Sequence, residues 1–85
     1  MVEKLKVDFQ DNFKKSFKKI KDKKLKDSII NQIEKIKENP KIGKPMRYSR
    51  KGTRELYVKP FRLSYEFKEN ELIILFLDIY HKDKQ

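Results

Sequence analysis

Residues 56–67 read LYVKPFRLSYEF, and residues 72–82 read LIILFLDIYHK. In the first stretch, Lys59-Pro60 is a turn signal, and apolar and polar residues alternate after it as in a strand with one buried face. The second stretch is almost continuously apolar, which predicts a central strand covered on both faces. The four polar residues between the stretches therefore predict the turn of an antiparallel hairpin, with Asn70 suited to a positive φ.

The residues before this hairpin predict a strand and two helices. Residues 2–9 alternate imperfectly and predict a short strand. Apolar side chains then recur at helical spacing in two runs, Phe9, Phe13, Phe17 and Ile20, followed by Leu25, Ile29, Ile33 and Ile36. We expect Asp8 or Asp11 to cap the first helix, and the second to run from residue 22 or 23 to 38, where Asn39-Pro40 stops it.

Two more strands are predicted between the helices and the hairpin. Met46 to Ser49 is a short candidate, and Thr53 to Lys59 is a longer one. Helices grouped before a mostly antiparallel sheet of three or four strands predict a two-layer α+β domain. The chain of 85 residues is long enough for this one domain, 1–85, and no second.

The chain is strongly basic, with 23 Lys and Arg against 13 Asp and Glu, a net charge of +10. This excess favours a polyanionic partner, nucleic acid first, although a solvated lysine-rich surface is the simpler interpretation. The absence of cysteine excludes disulfides, and one histidine is too few for a His-cluster metal site. No apolar run has membrane-spanning length, so we expect a cytoplasmic protein without a membrane partner.

Two residues of the hairpin carry side chains suited to RNA cleavage. Histidine exchanges protons near neutral pH, so His81 is a candidate proton carrier, and Arg62 can clamp a phosphate as its charge develops. Pairing of the two strands is expected to bring them into one neighbourhood. The simpler interpretations are a surface histidine and a cross-strand salt bridge from Arg62 to Glu55 or Glu66. Among these residues, the general base stays open between Glu55 and a lysine.

The order and spacing of these motifs resemble the RelE/ParE toxin superfamily, and within it the RelE-type mRNA interferases. The resemblance rests on residues 55–66 (ELYVKPFRLSYE), on the basic end 80–84 (YHKDK), and on Pro40, Ile42 and Gly43 after the second helix. It implies a microbial RNase-like fold of two helices on a curved antiparallel sheet. It also implies a toxin that cleaves mRNA in the ribosomal A site without metal or cofactor, so ribosomal RNA is a third candidate for the general base.

The resemblance implies roles for particular residues. Arg62 matches the phosphate-binding arginine, Lys82 stands where many members place a second catalytic arginine, and His81 aligns with the general-acid histidine of YoeB-like members. The expected RNA-binding residues are Arg47, Arg50, Arg54, Tyr57, Lys59 and Tyr80, the tyrosines by stacking on bases. Glu55 and Tyr57 replace two lysines of RelE-type members, and Met46 replaces a glutamate of YoeB-like ones, so weaker activity is expected.

The resemblance also implies the partners. A RelB-like antitoxin, acidic and wrapping the toxin, is expected, and operator DNA is expected to be bound only through that complex. The ribosome and its mRNA are the expected targets. Two alternatives on the same fold remain open: a ParE-like inhibitor of DNA gyrase, and an attenuated toxin that acts mainly as the partner of its antitoxin.

Overall fold

The computed structural model describes residues 5–47 and 52–81. One strand and two helices precede four further strands, and a 3-10 turn over Glu69–Glu71 lies between the last two. The strands and helices are β1 (Lys6–Phe9), α1 (Asp11–Lys19), α2 (Lys23–Glu38), β2 (Lys44–Pro45), β3 (Thr53–Val58), β4 (Phe61–Lys68) and β5 (Ile73–His81). This order confirms the predicted α+β class. Within the described ranges, neither helix has the length and apolarity needed to cross a bilayer.

All five strands belong to one sheet, in the order β1-β5-β4-β3-β2. Strands β2 to β5 pair antiparallel, as predicted, whereas β1 joins β5 in parallel and makes the sheet mixed. The parallel pairing is possible because α1 and α2 carry the chain across the sheet before it returns. In the β4–β5 hairpin, Arg62 lies opposite Tyr80 and Phe61 lies opposite His81.

The core lies between the two helices and one face of the sheet, called here the helix face. Leu63 and Tyr65 of β4 and Ile74 and Phe76 of β5 are fully buried there, and α2 contributes Ile29, Ile33 and Ile36. The prediction that β5 is covered on both faces is wrong. Its residues alternate between buried and partly exposed because helices pack against only one side of the sheet. The other side is called the open face.

The helix ends differ in part from the sequence predictions. Asp22 caps α2, since its Oδ1 accepts hydrogen bonds from the Lys24 and Leu25 main-chain N–H groups at 2.9 and 3.3 Å. Neither Asp8 nor Asp11 caps α1, whose N-cap is Gln10 without a side-chain cap bond. The reason for Asp8 is local: its Oδ1 accepts from the N–H of the next residue instead.

Two turn and strand predictions are wrong. The short strand after α2 is Lys44–Pro45 rather than residues 46–49, because pairing with β3 begins two residues earlier. Residues 48 and 49 of that prediction lie outside the described residues. Asn70 is not at positive φ; it sits within the 3-10 turn, and Leu72, which ends that turn, has φ of 56°.

Candidate functional site on the open face

Three polar side chains meet on the open face of the sheet. Register and alternation place Glu55 of β3, Arg62 of β4 and Tyr80 of β5 on this side. Arg62 Nη1 lies 3.4 Å from Glu55 Oε1, and the Tyr80 hydroxyl donates a hydrogen bond to Glu55 Oε2. One carboxylate therefore joins an arginine and a phenol from two neighbouring strands.

Glu55 is buried, with 6% of its surface exposed, and is the only buried charged residue among those the structure describes. A buried carboxylate is costly unless it is paired and hydrogen-bonded. Arg62 and Tyr80 supply that compensation, one to each oxygen. The buried Glu55 carboxylate thus holds the Arg62 and Tyr80 side chains in fixed positions, and a functional site needs such fixed side chains.

Arg62 keeps most of its hydrogen-bonding capacity for a ligand. Its side chain is 36% exposed, and its contact with Glu55 involves only Nη1. Guanidinium has five N–H donors, and the 3.4 Å contact is long for a charge-assisted hydrogen bond. A phosphate arriving at the open face can therefore bind Arg62 without first breaking a tight ion pair.

An open groove of about 830 Å³ runs beside this cluster. Its wall opposite β4 is formed by the segment from Ile42 to Arg47, and Glu55, Leu56, Tyr57 and Arg62 complete it. Lys44 and Arg47 are exposed, and Tyr57 is 49% exposed. Three cations and one exposed aromatic ring around a single carboxylate suit a groove for a nucleic-acid strand.

His81 lies on the other face of the sheet from Arg62. It pairs with Phe61, and its ring meets the Phe61 ring edge-on with centroids 5.6 Å apart. The β4–β5 pairing thus brings the backbones of His81 and Arg62 near each other, as predicted, but their side chains lie on opposite faces. Tyr80 is the β5 side chain that faces Arg62. Lys82 and Arg50, two other predicted site residues, lie outside the described residues.

Arg54 and Lys59 lie away from the cluster. Arg54 Nη1 donates to the carbonyl oxygens of Lys41 and Gly43 at 3.1 and 2.7 Å, so its guanidinium holds the segment after α2. Lys59 is exposed in the turn between β3 and β4, at the cis Lys59-Pro60 bond.

Tyr65 holds the same segment from the core. Its hydroxyl accepts from the Gly43 N–H and donates to the Pro40 carbonyl, both at 2.8 Å. Burial raises the pKa of Tyr65, and the Gly43 N–H and the Arg54 charge oppose that rise. Gly43 must be glycine, because a Cβ there would lie 2.6 Å from the Tyr65 hydroxyl. This clamp fixes where the groove wall begins.

From the sequence, Glu55 was only a candidate salt-bridge partner or general base, and its burial was not predicted. Alternation along β3 places Glu55 on the same face as Tyr57, which lies opposite Arg62 on the neighbouring strand. A contact between Glu55 and Arg62 therefore had a sequence signal, whereas the burial of Glu55 had none. The groove wall of Ile42, Lys44 and Pro45 was also missed, because it depends on the tertiary path of a segment without a strong local pattern.

Comparisons with known proteins agree with this fold. The family model of the ParE toxin of type II toxin–antitoxin systems, parDE, matches residues 7–85. A comparison with curated proteins found no match.

Solved structures share the fold over nearly their whole length. The RelBE2 toxin–antitoxin complex from Mycobacterium tuberculosis has a TM-score of 0.79 at 19% identity, covering 92% of this chain and 91% of that one. A YoeB/ParE toxin from Agrobacterium tumefaciens has 0.81 at 13%, covering 91% and 98%. The isolated RelE toxin of E. coli has 0.78 at 12%, covering 95% and 87%. Because the family model spans nearly the whole chain, the protein belongs to the ParE toxin family of type II toxin–antitoxin systems, which confirms the resemblance to the RelE/ParE superfamily.

Proposed function

We propose that this toxin is a ribosome-dependent endoribonuclease that cleaves mRNA in the A site. The observation that carries the proposal is the Glu55–Arg62–Tyr80 cluster, which stands beside a groove bearing exposed cations. A base, a phosphate clamp and a hydroxyl donor within contact of one another are the groups that RNA cleavage by the 2′-OH requires.

Each group has a defined step. Glu55 removes the proton of the 2′-OH as its oxygen attacks phosphorus, and Arg62 binds the phosphate oxygens as negative charge grows on them. The bond from phosphorus to the 5′-oxygen breaks, and Tyr80 donates a proton to that leaving oxygen. The products are a 2′,3′-cyclic phosphate and a 5′-OH. Glu55 then returns its proton to Tyr80 through their hydrogen bond, which restores both groups.

Tyr80 is assigned the leaving-group proton because it shares the open face with Arg62, whereas His81 contacts Phe61 on the helix face. The catalytic roles of His81 and Lys82 stay predictions from the family resemblance. Lys44 and Arg47 are proposed to bind the RNA backbone, and Tyr57 to stack on a base. Among the described residues, no three His, Cys, Asp or Glu side chains are grouped to hold a metal, and the proposed chemistry uses side chains alone.

A RelB-like antitoxin is the proposed partner. The M. tuberculosis relative was solved as a toxin–antitoxin complex, and a Pyrococcus horikoshii relative as a RelE–RelB complex. A net charge of +10 is complementary to an acidic partner. The antitoxin is therefore proposed to cover basic surface of this toxin and to hold it inactive.

Inhibition of DNA gyrase without cleavage is the second candidate. It is favoured by the family model, which is that of ParE, and by Glu55 and Tyr57 standing where RelE-type members have lysines. A groove that binds a polyanion would then serve contact with gyrase or its DNA. An attenuated toxin would retain the fold and its antitoxin and lack both activities.

A defined translation reaction separates these candidates. We would add purified toxin to mRNA with and without ribosomes and map new 5′ ends by primer extension, using the native protein, Glu55→Gln, Tyr80→Phe and His81→Ala. Codon-phased cuts that need ribosomes, fall sharply in Glu55→Gln and Tyr80→Phe, and persist in His81→Ala support the proposal. Intact mRNA with inhibited gyrase supercoiling establishes the second candidate, and loss in His81→Ala alone moves the proton donor to that residue.

A further inference from the structure

The two edges of the sheet are protected from further strand pairing in different ways. On one side the edge strand is β2, which has two residues and contains Pro45, and a short strand with a proline pairs poorly with another chain. On the other side the edge strand is β1, and within residues 5–47 and 52–81 no strand lies beyond it. Because β1 has four residues and no proline, its outer edge needs another means of protection.

The backbone of β1 presents hydrogen-bonding groups at this outer edge. Lys6 and Gln10 donate their main-chain N–H groups toward β5, to the carbonyl oxygens of the residue before that strand and of Phe76 within it, both at 2.9 Å. Main-chain groups of successive residues in a strand point to opposite sides. The N–H and C=O groups of Val7 and Phe9 therefore point away from β5, where a further strand could bind them.

Asp8 occupies one of these outward groups. Its Oδ1 accepts a hydrogen bond from the Phe9 N–H at 2.9 Å, so that N–H already has an acceptor when another strand approaches. The same arrangement recurs on β5, beyond the residues that β1 covers: Asp78 Oδ1 accepts from the Ile79 N–H at 2.8 Å. It also accepts from the Ser16 hydroxyl at 3.2 Å. An aspartate thus accepts from the N–H of the next residue on both outer strands of this side.

The residue type at position 8 indicates that a hydrogen-bond acceptor is needed there. Lysine is the usual charged residue of an exposed edge strand, and this chain has 23 Lys and Arg against 13 Asp and Glu. A lysine ammonium only donates hydrogen bonds, so it cannot bind an N–H group, whereas a carboxylate can. Asp8 is exposed, so core packing does not explain it, and its bond to the Phe9 N–H does.

The outer edge of β1 is complementary to the same edge of a second copy. Leu5, Val7 and Phe9 are partly buried and pack against the margin of the core. In an antiparallel pairing centred on Val7, the Phe9 N–H of each copy meets the Leu5 carbonyl of the other, and the apolar residues of the two strands lie opposite one another. Lys6 of each copy then lies opposite Asp8 of the other, which pairs opposite charges. Both copies use the same edge, so the pairing closes as a two-fold dimer.

We propose that the outer edge of β1 is a pairing surface for a second copy of this chain, and that Asp8 prevents the pairing by occupying the Phe9 N–H. Dimerisation needs that N–H for the Leu5 carbonyl of the other copy, so the carboxylate has to be displaced in both copies. The edge lies at the end of the sheet opposite β2 and the groove, and the proposal does not rest on the function proposed above. The toxin therefore stays monomeric while Asp8 holds the Phe9 N–H, and it dimerises through β1 when that acceptor is removed.

The test measures the mass of the protein in solution by sedimentation equilibrium over a range of concentrations. Asp8→Ala removes the carboxylate, whereas Asp8→Asn removes the charge and keeps an acceptor oxygen. Both variants lose the charge pair with Lys6 of the other copy, so their comparison isolates the acceptor. Asp27→Ala removes the same charge from an exposed position of α2. Circular dichroism and thermal melting verify that the three variants are folded, as expected for substitutions at exposed residues.

We expect Asp8→Ala to dimerise with a dissociation constant about 10- to 100-fold below that of the native protein, because two Phe9 N–H groups per dimer no longer have to give up an acceptor. Asp8→Asn and Asp27→Ala should associate as weakly as the native protein. Hydrogen exchange at the Val7 and Phe9 amides should slow as the concentration of Asp8→Ala rises, with no change at Lys44 of β2. Association of Asp8→Ala no tighter than native, equal association of Asp8→Asn or Asp27→Ala, or slowed exchange at Lys44 instead of Val7 and Phe9 would overturn the proposal.

Discussion

Arg54 and Arg62 lie on neighbouring strands of one sheet, yet their surroundings are opposite. Arg54 donates to two main-chain carbonyls of the segment after α2 and fixes that segment. Arg62 contacts one carboxylate, through one nitrogen, beside an open groove. The two carbonyls engage the Arg54 guanidinium in holding the main chain, whereas Arg62 can bind a phosphate through its remaining donors while it stays paired with Glu55. On our proposal, Arg54 is a structural arginine that fixes the segment after α2, and Arg62 is the arginine that binds phosphate.

The clamp that Tyr65 forms on Gly43 and Pro40, next to the Arg54 contacts, should be the part of the fold whose stability is most sensitive to substitution. Gly43→Ala places a methyl group 2.6 Å from the Tyr65 hydroxyl, inside the core, and forces Tyr65 or the segment to move. We expect a loss of about 3 kcal/mol in the free energy of unfolding, at the upper end of overpacking effects. Urea denaturation measures it.

Gly52→Ala is the control for this change, since a Cβ there meets nothing within 4 Å although φ is +100°. Its cost is backbone strain alone, about 1 kcal/mol. Equal losses for the two glycines would show that the contact of Gly43 with Tyr65 is not what makes the clamp sensitive.

Removing only the Tyr65 hydroxyl should have a smaller effect. Tyr65→Phe leaves the Gly43 N–H and the Pro40 carbonyl without their partner, which costs about 2 kcal/mol. The native state also holds the phenol proton more tightly than the unfolded chain, because burial raises the Tyr65 pKa above its ordinary 10.0. That stabilisation is complete below pH 10 and is lost as pH rises through the folded pKa.

Urea denaturation of both proteins from about pH 8 to 11 measures this difference. The advantage of the native protein over Tyr65→Phe should narrow above pH 10.0, and other groups that titrate there cancel in the comparison. A gap that is constant or widens with pH would show that the Tyr65 pKa is not raised in the folded state.

The exposed ion pair of Lys37 with Glu34 should contribute least. Both side chains are largely solvated, at 43% and 60% exposure, and the atoms are 3.2 Å apart. Lys37→Gln should therefore change the free energy of unfolding by less than about 0.5 kcal/mol. A larger loss, measured by the same urea method, would mean that surface charge pairs matter to this fold and that the Arg62–Glu55 pair must be reconsidered as structural.

The sequence predicted local patterns well and long-range contacts poorly. The alternation after Pro60 and the stop at Asn39-Pro40 depend on neighbouring residues, and β4 and α2 were predicted to within a residue. The parallel pairing of β1 with β5 joins distant parts of the chain, which no local pattern encodes. Leu72 takes positive φ in place of Asn70 because the 3-10 turn ends there, which residue preference alone does not reveal.

The candidate site follows the same division: features set by neighbouring residues were predicted, and those set by the tertiary fold were not. Arg62 stood out from its strand, and a cross-strand salt bridge to Glu55 or Glu66 was the simpler interpretation of it; the structure shows the pair with Glu55. The side of the sheet on which His81 lies depends on the exact register, in which Leu77 is passed over at an irregularity of the β4–β5 pairing. The partners of Arg54 come from the segment after α2, so its structural role followed only from the tertiary fold.

The most direct test of the central claim compares Arg62→Gln with Arg54→Gln in ribosome-dependent mRNA cleavage, with urea denaturation of each protein alongside. We expect Arg62→Gln to lose about 10² to 10³ in cleavage rate, as for removal of one donor to a developing negative charge, while it stays folded. Arg54→Gln should lose stability and keep its cleavage rate within an order of magnitude where it is folded. Native-level cleavage by Arg62→Gln, or an equal loss in folded Arg54→Gln, would contradict the division of roles between the two arginines.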